Sequence, residues 1–518
     1  MFGGELASRT YDNVIVGAGS AGCVLARRLV DAGRSVLLLE AGPEDLRPEI
    51  HNPATSLALW NTEVDYAYTT EPQEHAAGRR LPWPRGKVVG GSSSLNGMIY
   101  ARGVREDYEN WAYRGCYGWD WPSVLPYFKR SEDHEDGASA LHGQDGPLSV
   151  TRIKDPNPLA AAFVEAAKQS GLPFVEDPNG EQRLGVSYTQ LTVCEGKRHS
   201  TWVCFVRPIA QSPSFNVVTG ATASRLLFDG MRCEGVEYVV DGQAVQARAN
   251  HEVVLSGGVV GSPQLLLLSG IGPADELAAL GIEPRLDLPG VGANLHDHLI
   301  CPVLWETPDP LPPMSVQGLE VNIFWKSHPS LSVPDMQPLL VHAPYLGDDP
   351  NVPEHGFSGL GGLVRPLSRG RLWLRSTDPT ESPALDPQVF SEPHDLEVMV
   401  DSVELVREIG RQPALRETWV EREFAPGADV ADRDAVRDYV RRYVHTYHHQ
   451  VGTCRMGVDS EAVVDPELRV RGIDGLRVID ASVMPDVPTG NTNAPTIMIA
   501  ERGADLLLET QGRGAALA

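Results

Sequence analysis

The chain has 518 residues, too many for one small core, so one large two-lobed unit or two domains are expected. Its 44 Lys and Arg against 69 Asp and Glu leave a formal charge of −25, which argues against nucleic acid as a partner. Hydrophobic residues make up 42%, ordinary for a soluble globular protein, and the apolar run Leu265–Leu268 is far too short for a membrane helix.

Seven cysteines, an odd number with no CxxC pair, fit a reducing, cytoplasmic setting better than a disulfide framework or zinc knuckle. The N-terminus reads straight into the first strand without a signal peptide. Residues 13–16 read as a short buried strand, and residues 20–32 as a helix whose apolar positions are Val24, Leu25, Leu29 and Val30. Gly33 is its plausible C-cap. A second buried strand, 35–39, is followed by Glu40, which completes a βαβ unit and implies a parallel sheet.

Residues 41–110, rich in Gly, Pro and Trp, read as irregular. Residues 251–255 read as a strand entering a glycine turn, after which Ser262-Pro263 is expected to start a helix. The span 300–445 has many prolines and alternating stretches such as Gly370–Ser376, suited to antiparallel strands. A last buried strand is expected over 476–480 and a last helix over 494–510.

Gly17-x-Gly19-x-x-Gly22 lies between the first strand and helix. The first glycine makes the turn, the second lets a pyrophosphate approach, and the third lets helix and strand pack. The helix N-terminus attracts phosphate charge. Glu40, 18 residues after Gly22, can accept from a ribose hydroxyl. A dinucleotide is expected, and an acid at position 40 suits NAD or FAD equally. Near the other end, His448-His449-Gln-Val-Gly-Thr453 and Pro488-Thr-Gly-Asn-Thr-Asn493-Ala-Pro-Thr496 supply groups that could move protons beside it.

Three longer segments carry a family resemblance. Gly86-Lys-Val-Val-Gly-Gly-Ser-Ser-Ser-Leu-Asn-Gly-Met-Ile-Tyr-Ala-Arg-Gly103, Gly258-Val-Val-Gly-Ser-Pro-Gln-Leu-Leu-Leu-Leu-Ser-Gly-Ile-Gly272 and Gly290–His298 resemble the glucose–methanol–choline (GMC) oxidoreductases. So do the two C-terminal blocks, although Val259 stands where a small residue is usual. The resemblance spans residues 11–510 and is closest in motif to choline dehydrogenase, choline oxidase and hydroxymethylfurfural oxidase-like members. It implies an α/β fold: a Rossmann-like FAD-binding domain on a doubly wound parallel sheet, with a second α+β substrate domain on an antiparallel sheet. The expected partition is FAD domain 1–155, 190–300 and 446–518, and substrate domain 156–189 and 301–445.

The same resemblance implies a cofactor set of Gly17, Gly19, Ser20, Ala21, Gly22, Glu40, Ala41, Val89, Ser92, Asn96, Gly97, Met98, Val218, Asp480 and Ala481. Within it Asn96 falls near the flavin ring, Asp480 near the ribityl chain and Val218 near the adenine. Leu95 occupies the position of the histidine that links FAD covalently in some members, so noncovalent FAD is expected. His449, before x-Val-Gly-Thr, falls on the catalytic histidine and Asn493 on its partner. His449 would take the alcohol proton while Asn493 holds the oxygen. The expected substrate is a small, primary alcohol (aryl, furanic or choline-like), with dioxygen or another molecule as electron acceptor. Sugar oxidation, a hydroxynitrile lyase and a plain NAD dehydrogenase are the rivals.

Other candidates are weaker. His448 reads as pocket wall or as support just behind it, with His445 weaker still, and Cys454 as a buried bystander thiol. His296-x-His298 with Asp297 lacks a third ligand cluster, so no metal is expected. Trp60, Tyr66 and Tyr68 could line the pocket entrance or simply pack. The sequence sets no oligomeric state.

Overall fold

The computed structural model describes residues 10–517 apart from residue 315, so the leader-free start expected over residues 1–9 lies outside the described residues. The βαβ unit forms as its local pattern dictates. Strand β1 (Thr10–Val16) enters the glycine turn, α1 (Ser20–Asp31) leaves it, and β2 (Val36–Leu39) returns parallel to β1. Gly33 adopts φ +80 just past the helix end, a conformation that side chains disfavour.

Around this unit grows a seven-stranded sheet. Phe215–Val218 extends it beyond β2. On the other side lies the long strand β3 (Gln243–Leu255), parallel to β1. Its first half pairs antiparallel with Arg232–Val240, and its last residues pair parallel with β4 (Leu476–Val478). The core strand β2 is buried at all four positions, as a strand covered on both faces must be.

A second seven-stranded sheet is antiparallel throughout. Leu299–Glu306 and Gly356–Leu363 pair along eight residues at its centre. The latter strand is glycine-rich because helix Pro393–Gly410 lies directly on it. A Cβ on Gly359 would stand 2.5 Å from a methyl of Val406. The opposite face carries Ile300, Leu339, Val341 and Leu360 toward an internal cavity. The mixed α/β architecture with one parallel-centred and one antiparallel sheet is therefore as expected. The stretch 370–376 contributes only Arg371–Trp373, paired antiparallel with Ala384–Asp386.

One expectation needs correction. Helix α2 (Gly258–Leu268) begins four residues before Ser262, so Pro263 sits inside it rather than in its first turn. Pro263 has no N–H to give the carbonyl of Val259, four residues back. The hydroxyl of Thr453 donates to that carbonyl instead, at 2.6 Å. The last helix, α3 (Asn493–Leu517), starts close to expectation and runs longer. Among the described residues no helix is long and apolar enough to cross a membrane.

Thr453→Val leaves the Val259 carbonyl buried and unpartnered, which costs about 1–2 kcal/mol. The expected result is a lower Tm by calorimetry. Adding Pro263→Ala restores a donor N–H and recovers part of the loss; an unchanged Tm in the single variant would contradict the substitution of one donor for the other.

Candidate active site

One cavity of about 750 Å³ runs from the glycine turn to the C-terminal histidines. Its volume is in the range of small-molecule and cofactor sites. At one end the start of α1 opens onto it. Both oxygens of Glu40 take backbone donors, from Ala18 and Gly42, each at 2.9 Å. This ties the end of β2 to the turn, and burial lifts the Glu40 carboxyl to about 7. Gly22 is forced by packing, since a Cβ there would lie 1.9 Å from the Gly17 carbonyl oxygen. Gly90 N–H donates to the Ala18 carbonyl, which brings the 86–98 segment over the turn.

Of the expected cofactor positions, Gly17, Gly19, Ser20, Ala21, Glu40, Ala41, Ser92, Asn96, Gly97, Met98, Asp480 and Ala481 line this cavity. Three do not. Gly22 packs behind the turn against Gly17. Val89 is wholly buried, with its N–H on the Pro43 carbonyl. Val218 ends its strand with its carbonyl on the Glu40 N–H. The wall at that place is formed by Ala221, Thr222 and Ala223, just beyond the strand. Asp480 has every oxygen engaged, by Gly258 N–H at 2.8 Å, Ser262 Oγ at 2.6 Å and both Ser482 donors.

At the other end His449 is buried, and its backbone and ring are both held. Its backbone N–H donates to Asp297 Oδ1 at 2.8 Å, its ring stacks on Tyr447 at 4.8 Å, and its Nδ1 meets His298 Nδ1 at 3.0 Å. The amide in contact with it is that of Asn491, whose Nδ2 lies 3.1 Å from His449 Nε2. This corrects the expected pairing with Asn493. Asn493 opens α3, and its Oδ1 accepts from Ser20 Oγ at the phosphate turn, at 2.6 Å. The two asparagines, separated by one residue in Asn491-Thr-Asn493, thus turn to different partners on the cavity wall, His449 and Ser20. Only the last turn before α3 decides which faces the histidine.

Further contacts fix the proton positions. Gln337 Nε2 donates to Asn491 Oδ1 at 3.1 Å, so the amide NH2 of Asn491 points at His449. His449 Nε2 is then the acceptor and its Nδ1–H donates to His298. Sequence reasoning missed Asn491 and Gln337, and considered His298 only within the His296-x-His298 run as a metal candidate. Asp297 also accepts from Gln450 Nε2 at 2.9 Å and from the Thr446 hydroxyl, joining the 296–298 turn to the 446–450 loop.

Burial, with His298, His448 and Arg85 nearby, pushes the His449 pKa well below its ordinary value. Burial likewise lowers His298, His445 and His448 to about 3. Asp297 goes up to about 7 for the same reason. His296 is also lowered to about 3, chiefly by burial. Its Nδ1 donates to the Asn294 carbonyl and its Nε2 accepts from Val487 N–H, so neither nitrogen is left for a metal. His445 contacts Arg79 and lies off the cavity, while burial raises the Cys454 thiol. Trp60, Tyr66 and Tyr68 do line the cavity, with Tyr66 and Tyr68 stacked at 5.1 Å.

Family models described as GMC oxidoreductase match residues 11–300 and 366–500. The chain is 42% identical to mitochondrial choline dehydrogenase of Homo sapiens, over 96% of this chain and 89% of that protein. It is 40% identical to an alcohol dehydrogenase [acceptor] of Pseudomonas putida, over 96% of each. The crystal structure of pyridoxine 4-oxidase from Mesorbium loti superposes with a TM-score of 0.92 at 36% identity, covering 95% of this chain and 98% of that one.

The buried imidazoles set an acid limit. Their folded pKa values lie below the ordinary 6.5, so between about pH 6.5 and 3 the unfolded chain binds more protons and stability falls as pH falls. Glu40 and Asp297 act oppositely: their contribution is full at low pH and is lost as pH rises through about 7. Five imidazoles outweigh two carboxyls, so Tm should drop between pH 6.5 and 5 in calorimetric scans. A Tm that rises over that interval would contradict the neutral assignment.

Proposed function

This chain belongs to the GMC oxidoreductase family of FAD-dependent alcohol oxidoreductases, and from that premise we propose that it oxidises small, neutral primary alcohols to aldehydes, with His449 as base and Asn491 as oxygen holder. The observation that carries this reading is the single cavity that joins the phosphate turn to the His449–Asn491 pair. The residues present fit FAD. The glycine turn and α1 would take the pyrophosphate, Glu40 a ribose, Ala221–Ala223 the adenine end, and Asn96–Met98 the ring end. Leu95 offers no nucleophilic atom at the cavity wall, which supports noncovalent binding.

When bound, FAD supplies the hydride acceptor. The chain's own task is the proton. A neutral His449 carries its lone pair on Nε2; an entering alcohol would take the place of the Asn491 N–H on that lone pair, and the freed NH2 can donate to the alcohol oxygen. The imidazole is a weak base here, yet the alcohol proton becomes acidic as the hydride departs, so proton and hydride can leave together. His298 holds the ring in the tautomer that exposes Nε2. Dioxygen or another molecule would serve as the final electron acceptor.

The wall near His449 supports an uncharged substrate. It is formed by Trp60, Tyr66, Tyr68, Leu339, Leu360 and Tyr447, with the cation Arg85 among them. The wall carboxylate beside Arg85, Asp65, is already engaged by three backbone N–H groups, of Asn61, Ala67 and Arg85. A quaternary ammonium finds aromatic faces but no free anion there, and a neighbouring guanidinium repels it. This favours aryl or furanic alcohols over choline-like ones. All seven cysteines are unpaired, which supports a reducing compartment.

The test is anaerobic mixing of the purified holoenzyme with benzyl alcohol or choline. Benzyl alcohol is expected to bleach the flavin faster than choline. His449→Ala and Asn491→Ala should slow bleaching by on the order of 10²-fold. Asn493→Ala should weaken FAD retention more than the rate. Near-wild-type reduction in the His449 or Asn491 variant would remove the assignment. A flavin untouched by alcohols would favour the lyase reading.

A further inference from the structure

His448 is not used by the proton transfer just described, and its setting is unusual. It has φ +66, in the left-handed region that few non-glycine residues enter. The backbone is fixed there from both sides. His448 N–H donates to Thr446 Oγ1 at 2.8 Å, and its carbonyl accepts from Arg85 Nη2 at 2.7 Å. A left-handed residue held by contacts on both sides is a position at which a functional role is worth testing. The ring packs edge-on against Trp60, with centroids 4.9 Å apart, and forms part of the cavity wall.

Neither ring nitrogen has a hydrogen-bond partner among the described residues. Nδ1 is sealed from solvent, whereas the side chain as a whole keeps some exposure on the cavity. That leaves Nε2 as the nitrogen a ligand can meet. A buried orphan donor is rarer and costlier than a buried orphan acceptor. The proton therefore belongs on Nε2, and the ring offers the cavity an N–H. Burial, aided by Arg85 and His445, holds the ring neutral, so only one nitrogen carries a proton.

We propose that His448 is a specificity-determining residue: its Nε2–H binds an acceptor atom, such as an ether or carbonyl oxygen, on the substrate body away from the reacting hydroxyl. The preferred alcohols are then aromatic or heteroaromatic ones with an acceptor substituent, not plain hydrocarbons. Trp60, in edge contact with the same imidazole, supplies an apolar face for the ring that carries it. The inference rests on the alcohol-oxidation reading and adds a second anchoring point to it.

The experiment compares pairs matched in shape, methoxybenzyl and ethylbenzyl alcohols substituted at the meta or para position, with wild-type holoenzyme, His448→Phe and His448→Gly. Phenylalanine keeps the packing on Trp60, and glycine accepts the left-handed backbone without strain. The readouts are the methoxy-to-ethyl ratio of kcat/KM and the same ratio of Kd for the corresponding benzamides, followed by flavin absorbance. Wild type is expected to favour the methoxy member at one position at least, by roughly fivefold, the worth of a neutral hydrogen bond. Both variants should bring that ratio near one. Equal handling of the pairs by wild type, or an unchanged ratio in the variants, would overturn the proposal. If no benzylic alcohol bleaches the flavin at all, it is the alcohol reading that fails, and the benzamide affinities still report on His448.

Discussion

The short contact between His449 Nε2 and the Asn491 amide is the point on which the rest of the molecule converges. It joins two loops 42 residues apart in the chain. Neither loop has regular structure of its own at that point. One is held by Asp297, which accepts from the backbone of His449 and the side chains of Thr446 and Gln450. The other is held from behind by Asp107, which accepts from the N–H and hydroxyl of Thr489 and pairs with Arg365. A base and an oxygen holder, the roles proposed for His449 and Asn491, need such fixed backing when placed by loops, because a displacement of about 1 Å can cost on the order of 100-fold in rate.

The fold pays for this placement in buried polarity. Histidines 296, 298, 448 and 449 are packed with Asp297 and Arg85 in one region, and burial pushes each imidazole toward its neutral form. Neutral rings in a dry pocket act as directed donors and acceptors rather than as charges. The tautomer is then set by neighbours: Gln337 orients Asn491, Asn491 orients His449, and His449 donates to His298. Gln337 stands on the antiparallel-sheet side and Asn491 just before α3, so this chain of donors also couples the two halves of the structure.

What sequence made legible was the local part. The alternation of β1, glycine turn, α1, β2 and Glu40 depends on contacts within thirty residues, and it folded as read. The catalytic-looking histidine was legible from its own motif. Its partner was not, because Asn491 and Asn493 are the same residue type on adjacent alternate positions, and only the tertiary path before α3 separates them. Pro263 was misplaced because the donor that replaces its missing N–H comes from Thr453, far along the chain. Val218, the expected adenine neighbour, ends its strand with its carbonyl on Glu40, and the cavity wall begins just beyond it at 221–223.

The central claim is spatial: the dinucleotide held at Gly17–Gly22 must extend along one cavity until its reacting end meets His449. The most direct test is a crystal structure of the purified, flavin-containing protein. The account predicts FAD along this cavity, without a covalent link at Leu95, and with its ring within substrate-sized reach of both His449 Nε2 and the Asn491 amide. A protein that carries no flavin, or a flavin ring facing Asn493 with His449 turned away from it, would contradict the account.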